Sequence, residues 1–295
     1  MLTNSILTQV RVMIVRKEFK CAAFFMFAYA YVAFIYSLSQ NQGVDLAMMK
    51  DASQLVCFSD FHRLWYYFYL VYPFLVVLPF ATSYVEDYQN RLLAVYVSRI
   101  SREYYYISKV IVCFLGTAVL VLIPCIINMS LCAIFLPHNN NMLIGEYQMG
   151  NYYKNLLGMN IAYSTDYPAV PMMKLFLLNP YLYNLVYLII FSLFTGLMAA
   201  LTLSVSFLLN KSKLLLFIPV FLLLRTSDLY DTFRLDMAIE DVHVKYIDYS
   251  IMDYVTPSLS SGQNQLMFLF FCIALAVVVM CLTILGIKKD LRSLQ

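Results

Sequence analysis

Charge is scarce in this chain. Only 13% of its 295 residues are Asp, Glu, Lys or Arg, against about 25% in a soluble domain, and 62% are hydrophobic. One water-facing core cannot hide that excess, so the fold class expected is an all-α polytopic membrane protein. Histidine is rarer still: His62, His138 and His243 stand alone, and no HExxH occurs, which argues against a zinc site. A phosphate-cradling loop is also missing. The nearest match, GEYQMGN at 145–151, lacks the lysine that would meet the phosphates, so no ATP hydrolysis is expected of this chain by itself. GxSxG is absent, against a serine hydrolase of the elbow type. The 7 cysteines are odd in number and show no CxxC spacing, which excludes a disulfide framework. A net charge of +3 is too small to suggest a nucleic-acid partner. No secretory leader is expected, because the first apolar run follows about twenty residues of mixed character with no small-residue cleavage site after it.

What the chain does have is apolar runs. A crossing of a hydrocarbon core about 30 Å thick takes about 20 apolar residues, and six runs are placed: 21–38, 64–85, 104–136, 181–209, 214–224 and 266–287. The third exceeds the need, so it should tilt or break, with Pro124 as the kink and Asn128 facing protein. The fifth has about eleven apolar residues and works only if it extends through Tyr230 while Lys211, Lys213 and Arg225 reach the interface, or if the bilayer thins. Ahead of the spans, residues 1–20 form a separate unit. Ile6, Val10, Met13, Ile14 and Lys17 fall at helical spacing among Arg11, Arg16, Glu18 and Lys20, the pattern of an amphipathic helix lying on the membrane, or else of an extension of the first span. Residues 21–295 make the six-span unit, with no internal repeat.

Orientation follows from the cations. With both termini on one side, that side holds Arg11, Arg16, Lys17, Lys20, Arg91, Arg99, Arg102, Lys109, Lys211, Lys213, Lys288, Lys289 and Arg292, thirteen of the 20 Lys and Arg. The positive-inside rule then puts both termini in the cytoplasm of a plasma membrane, the bacterial cytoplasmic membrane being the natural fit. Outer segments follow at 39–63, 137–180 and 225–265. The last is acidic through Asp228, Asp231, Asp236, Glu240, Asp241, Asp248 and Asp253. The span centres carry no Asp, Glu, Lys or Arg, which weakens an ion-channel or proton-pump reading. Asn128, Asn184, Ser192, Thr195, Thr202 and Ser204 are the polar groups within spans, read as helix-packing residues ahead of ligand contacts.

The informative stretch is the cytoplasmic segment 86–104. Glu86 and Asp87 open it, a short apolar core with Leu92, Leu93 and Val95 follows, and Arg99, Ser101 and Arg102 sit in RISR, with Lys109 beyond. Such a helix can lie at the membrane surface and offer its charges to a soluble partner, or the segment can be an ordinary positive-inside loop.

The same residues resemble the type-2 ATP-binding cassette exporter permeases, in which a Glu opens the loop after span two, a small coupling helix follows, and R-x-S-R leads into a span beginning near a Lys. Glu86, 99–102 and Lys109 match. The Gly common two or three residues after the Glu is replaced here by Tyr88 and Gln89. The resemblance covers the hydropathy plan, and individual residues over about 25 positions. It implies a permease subunit, not an enzyme, that binds no cofactor itself. ATP and Mg would sit on a separate P-loop ATPase subunit, and a second permease subunit, identical or not, would complete a dimer in the lipid bilayer. Glu86, Arg91, Arg99, Ser101 and Arg102 would couple to the ATPase, with Lys17 and Glu18 in support. The uncharged span centres point to a hydrophobic or cationic amphiphile as cargo, such as a peptide, drug or lipid. The alternative is a non-transporting membrane sensor or immunity protein, or a lipid-acting membrane enzyme, although the last would need His, Asp or Ser clustered near an interface.

Overall fold

The computed structural model describes residues 2–43, 51–58, 62, 64–99, 101–138, 143–144, 147–148, 172, 175, 178–209, 213–240, 250–257 and 265–292. It is built of helices, with one two-residue antiparallel pair, β1 (Leu143–Ile144) with β2 (Tyr147–Gln148). Among the described residues four helices are long and apolar enough to cross a membrane, as in a multi-pass membrane protein: α2 (Lys17–Gln40), α6 (Arg102–Phe135), α7 (Pro180–Leu208) and α10 (Gln265–Arg292). They coincide with the first, third, fourth and sixth expected spans. Of the four, α7 is the most buried and α10 the least, so α7 is the central post. Its start is set locally: Pro180 supplies a helix-ready φ, and the Asn179 side chain accepts from the Tyr181 and Leu182 amides at 2.9 and 3.2 Å.

Helix α6 lies against α7 along its length, and Gly196 allows the approach, since a Cβ there would collide with the Phe114 carbonyl oxygen. Small residues at a crossing let two membrane helices pack by close van der Waals contact. Helix α6 is continuous through Pro124, the position expected to kink it.

The second expected span is divided. Helix α3 (Leu64–Val77) has 14 residues, about 21 Å at 1.5 Å per residue, and tolerates Pro73 within it. Pro79 then lacks the N–H to continue and pushes Leu78 away from helical geometry. The chain turns over 78–82 and resumes as α4 (Ser83–Gln89). Arg91 carries the next turn at φ 58°, leading into α5 (Leu92–Arg99). The fifth expected span begins with a short 3-10 turn, Leu214–Leu216, and continues as α8 (Phe217–Glu240). The helix passes Tyr230 because no Gly or Pro follows Pro219 before its end. Asp228, Asp231, Asp236 and Glu240 therefore belong to a helix, whereas 225–265 reads from sequence as a loop. A five-residue helix α9 (Ile251–Val255) precedes α10.

The N-terminal unit also differs from expectation. Its helix α1 (Leu2–Val15) ends at an extended Arg16 (φ −60°, ψ 140°), so Lys17 and Glu18 open α2. Ser5 Oγ meets Ser108 Oγ at 2.7 Å, and Met13 packs on Gly116, so α1 runs beside the first turns of α6 in the same direction. The buried line is Ser5, Gln9 and Met13, while Ile14 of the apolar stripe is exposed. The helix is thus docked lengthwise on α6, and the face it turns there is the one that carries Ser5, Gln9 and Met13.

Segment 51–58 is the largest departure. Expected within an outer loop, it is buried from Asp51 to Phe58 between α2, α6 and α7. Most of the second outer segment, much of the other two, and 145–146 and 149–151 of GEYQMGN lie outside the described residues, as does His243.

Candidate functional site

Helix α4 carries two adjacent carboxylates, and 100° of helical rotation separates their directions. Glu86 looks toward the α1–α2 joint and the turn before α8. One of its oxygens accepts from Arg16 at 2.7 Å and the other from Lys213 Nζ at 2.6 Å. Arg16 also donates to Thr82 Oγ1 at 3.1 Å and lies 3.6 Å from Glu18. Asp87 looks the other way, into α6. Its Oδ2 accepts from Lys109 Nζ and from the Tyr105 hydroxyl, both at 2.6 Å. Lys109 is 1% exposed, donates again to Ser83 Oγ at 3.2 Å, and sits over the rings of Tyr105 and Phe80 at 5.1 and 5.6 Å. Arg16 lies on the same Phe80 ring at 5.8 Å.

Three cations, three carboxylates and the rings of Phe80 and Tyr105 therefore form a compact cluster at one end of the bundle. It ties α4 to α2 and α6, and through Lys213 to the start of α8. Charge-assisted bonds of this kind are roughly twice as strong as neutral ones, and partial burial shields them from salt.

The cluster holds α5 in place. Tyr96 of α5 stacks on Tyr105 at 5.7 Å, and burial, with the Asp87 carboxylate adding, raises its phenol above the ordinary value. Leu92 and Val95 face outward at 41% and 49% exposure. An eight-residue helix with its apolar side chains half uncovered, mounted on an ionic base, can seat in a partner's groove and pass a displacement into the bundle. Among the described residues no group of three His, Cys, Asp or Glu is placed to hold a metal.

The residues singled out from sequence are distributed around this base. Glu86 is in it, but both its oxygens are engaged within the chain, so it acts as an anchor of α4. Arg91 is exposed at the turn between α4 and α5, and Arg102 is half-buried in the first turn of α6. Ser101 is exposed and precedes that helix with extended backbone, its carbonyl accepting from the Tyr105 amide at 3.1 Å. Arg99 closes α5, its side chain lying outside the description, as does Ile100 of RISR. Glu18 is half-buried beside Arg16 and Lys17 is exposed. Arg16, Asp87, Tyr105, Lys109 and Lys213 were not among the site candidates. The available signal was Lys109, a lysine flanked by Ser108 and Val110 inside an apolar helix. Such a lysine needs an acid, and Asp87 stands beside the carboxylate already chosen. Comparison with protein-family models, curated proteins and solved structures finds no match to this chain.

Proposed function

We propose that this chain is the membrane-spanning permease subunit of an ATP-driven exporter of the type-2 ATP-binding cassette class. In this reading α3 with 78–82 and α8 complete six spans, both termini are cytoplasmic, and the membrane is the bacterial plasma membrane. Two permease subunits pair, and each receives the stroke of a P-loop ATPase through α5. ATP and Mg bind on that partner, and the cargo is an amphiphile, whether peptide, drug or lipid.

The observation that carries the reading is the mounting of α5. A freely hanging loop would absorb a push, whereas Glu86 and Asp87 bond α4 to Arg16, α6 and Lys213, and Tyr96 stacks α5 on Tyr105 of α6. Transport needs a two-state element biased by nucleotide, and this base delivers such a bias to several spans together.

The test is reconstitution with a P-loop ATPase subunit whose gene adjoins that of this chain, and the absence of any such gene would count against the reading. The pair should co-purify, and the permease should stimulate ATP hydrolysis. Val95→Glu, on the exposed face of α5, should abolish the stimulation while leaving the folded yield unchanged, since exposed substitutions cost little stability. Undiminished stimulation in that variant, or no association with the ATPase, would sink the reading.

A further inference from the structure

We propose that a cavity between α6, α7 and α10 is a binding site for one alkyl chain of a bilayer amphiphile, entered sideways from the lipid. Helices α7 and α10 run in the same direction and touch at their C-terminal ends. There the Ser204 and Thr283 hydroxyls lie 3.2 Å apart, Lys289 Nζ donates to the Leu208 carbonyl at 2.8 Å, and a Cβ on Gly286 would stand 2.7 Å from the Phe207 Cβ. Toward the N-terminal ends the bulkier Phe194 and Phe268 meet instead, ring centroids 5.9 Å apart. A cavity of about 580 Å³ opens around them, within the range of about 300–1,000 Å³ typical of small-molecule sites.

Its length and polarity are those of a lipid tail. The lining runs along α10 from Gln265 to Ala276 and along α7 from Tyr187 to Leu197. On α10 that is about 17 Å at 1.5 Å per residue, close to one leaflet's share, about 15 Å, of the hydrocarbon core. No side chain lining it is charged, and those with oxygen or nitrogen, Tyr187, Tyr254 and Gln265, stand at one end. The other end, at Leu197, Ala276 and Phe114, is apolar throughout. An amphiphile therefore lies with its tail there and its polar group beside the exposed Gln265.

The opening faces the bilayer. Tyr254, stacked on Phe268 at 5.4 Å, walls the side toward α8, and Phe114 of α6 forms the back. At the rim Leu193 and Leu269 are 47% and 54% exposed, and α10 is the least buried of the four span-length helices. Water does not fill a cavity this apolar, and an empty one forfeits dispersion contacts along its walls. The hydrocarbon that covers Leu193 and Leu269 thus continues inward. A helix of a second copy, about 10–12 Å across with its side chains, would have to part Phe194 from Phe268. A single alkyl chain need not.

Only the identity of that alkyl chain as the hydrophobic part of the cargo rests on the permease reading, and the test needs no ATPase. The protein is placed in phosphatidylcholine vesicles containing a lysophosphatidylcholine with a diazirine at the end of its acyl chain. After irradiation the labelled residues are found by peptide mass. Leu197 should carry several-fold more label than Val278, which is two residues beyond Ala276 but exposed on another face of α10, where it meets surface lipid. With the diazirine moved next to the glycerol, label should shift to Gln265 and Leu269. Ala276→Trp and Cys272→Trp fill the apolar end from two different turns. Each should lower the label at Leu197 several-fold and leave Val278 unchanged. Equal label at Leu197 and Val278 in the unaltered protein would mean surface lipid only and would overturn the proposal, as would label at Leu197 that neither folded variant alters. Loss of the label in a dimer trapped through Leu193→Cys would give the cavity to a second copy instead. Label and ATPase stimulation are read separately, so failure of one leaves the other standing.

Discussion

A lysine ammonium almost wholly out of water stays charged only while something holds it. For Lys109 that is Asp87, with Ser83 and two ring faces completing the shell. Removing one member of a buried pair strands the other, at a cost of about 3–5 kcal/mol, whereas replacing both with apolar groups is often neutral. Asp87→Asn should therefore lower the thermal midpoint of the detergent-solubilised protein sharply. Lys109→Met combined with Asp87→Leu should recover most of the loss, though not all, because Tyr105 loses its acceptor. Differential scanning fluorimetry on the two variants and the unaltered protein decides it. A double variant as unstable as Asp87→Asn would mean that the pair is not the source of the stability.

At the scale of elements, the α6–α7 crossing is the contact with least tolerance. Gly196→Val puts a branched side chain where the Phe114 carbonyl and the Ala118 methyl already stand, and the colliding atom is backbone, which cannot rotate away. The folded yield of that variant should fall far below that of Gly43→Val, although the second site has a positive φ, because nothing lies within 4 Å of Gly43. Comparable yields on size-exclusion chromatography would place the crossing elsewhere. Elements of this kind were legible where periodicity and length agree. The four long helices fall within a few residues of the runs read from sequence, because about 20 apolar residues admit no other structure in lipid. Legibility failed where a partner decides. Pro79 divides the second span at a place that mean hydropathy does not register. Segment 51–58 looks polar enough for a loop, and only hydrogen bonds between its backbone and Tyr29, Ser37, Asn128 and Asn184, contributed from far along the chain, make its burial possible. In the site, Glu86 was visible as an acid opening a basic stretch. That Arg16 and Lys213 would occupy it depends on how α1 and α8 return to α4, and no local pattern encodes that.

For the whole molecule, the length of α6 places the membrane. Its 34 residues span about 51 Å, some 20 Å more than a hydrocarbon core of about 30 Å. The excess belongs at the end that carries Arg102, Glu103 and Lys109, alongside α1, α4 and α5. On this placement the bilayer boundary falls near Arg16, Lys17 and Lys20, whose charges mark the start of α2, and the ionic cluster lies just on the water side of it. In the proposed topology, which follows the positive-inside rule, that water is the cytoplasm. Thr232, exposed on α8 beyond Asp228, then belongs to the opposite face. Single Ser101→Cys and Thr232→Cys substitutions, both at exposed positions, test this with a membrane-impermeant maleimide on intact cells. Thr232→Cys should be labelled at once and Ser101→Cys only after permeabilisation. Labelling of both from outside would remove α8 as a span and leave α5 unable to meet a cytoplasmic ATPase. Labelling of Ser101→Cys alone would invert the molecule, and the ionic base of α5 would then need a purpose outside the cell.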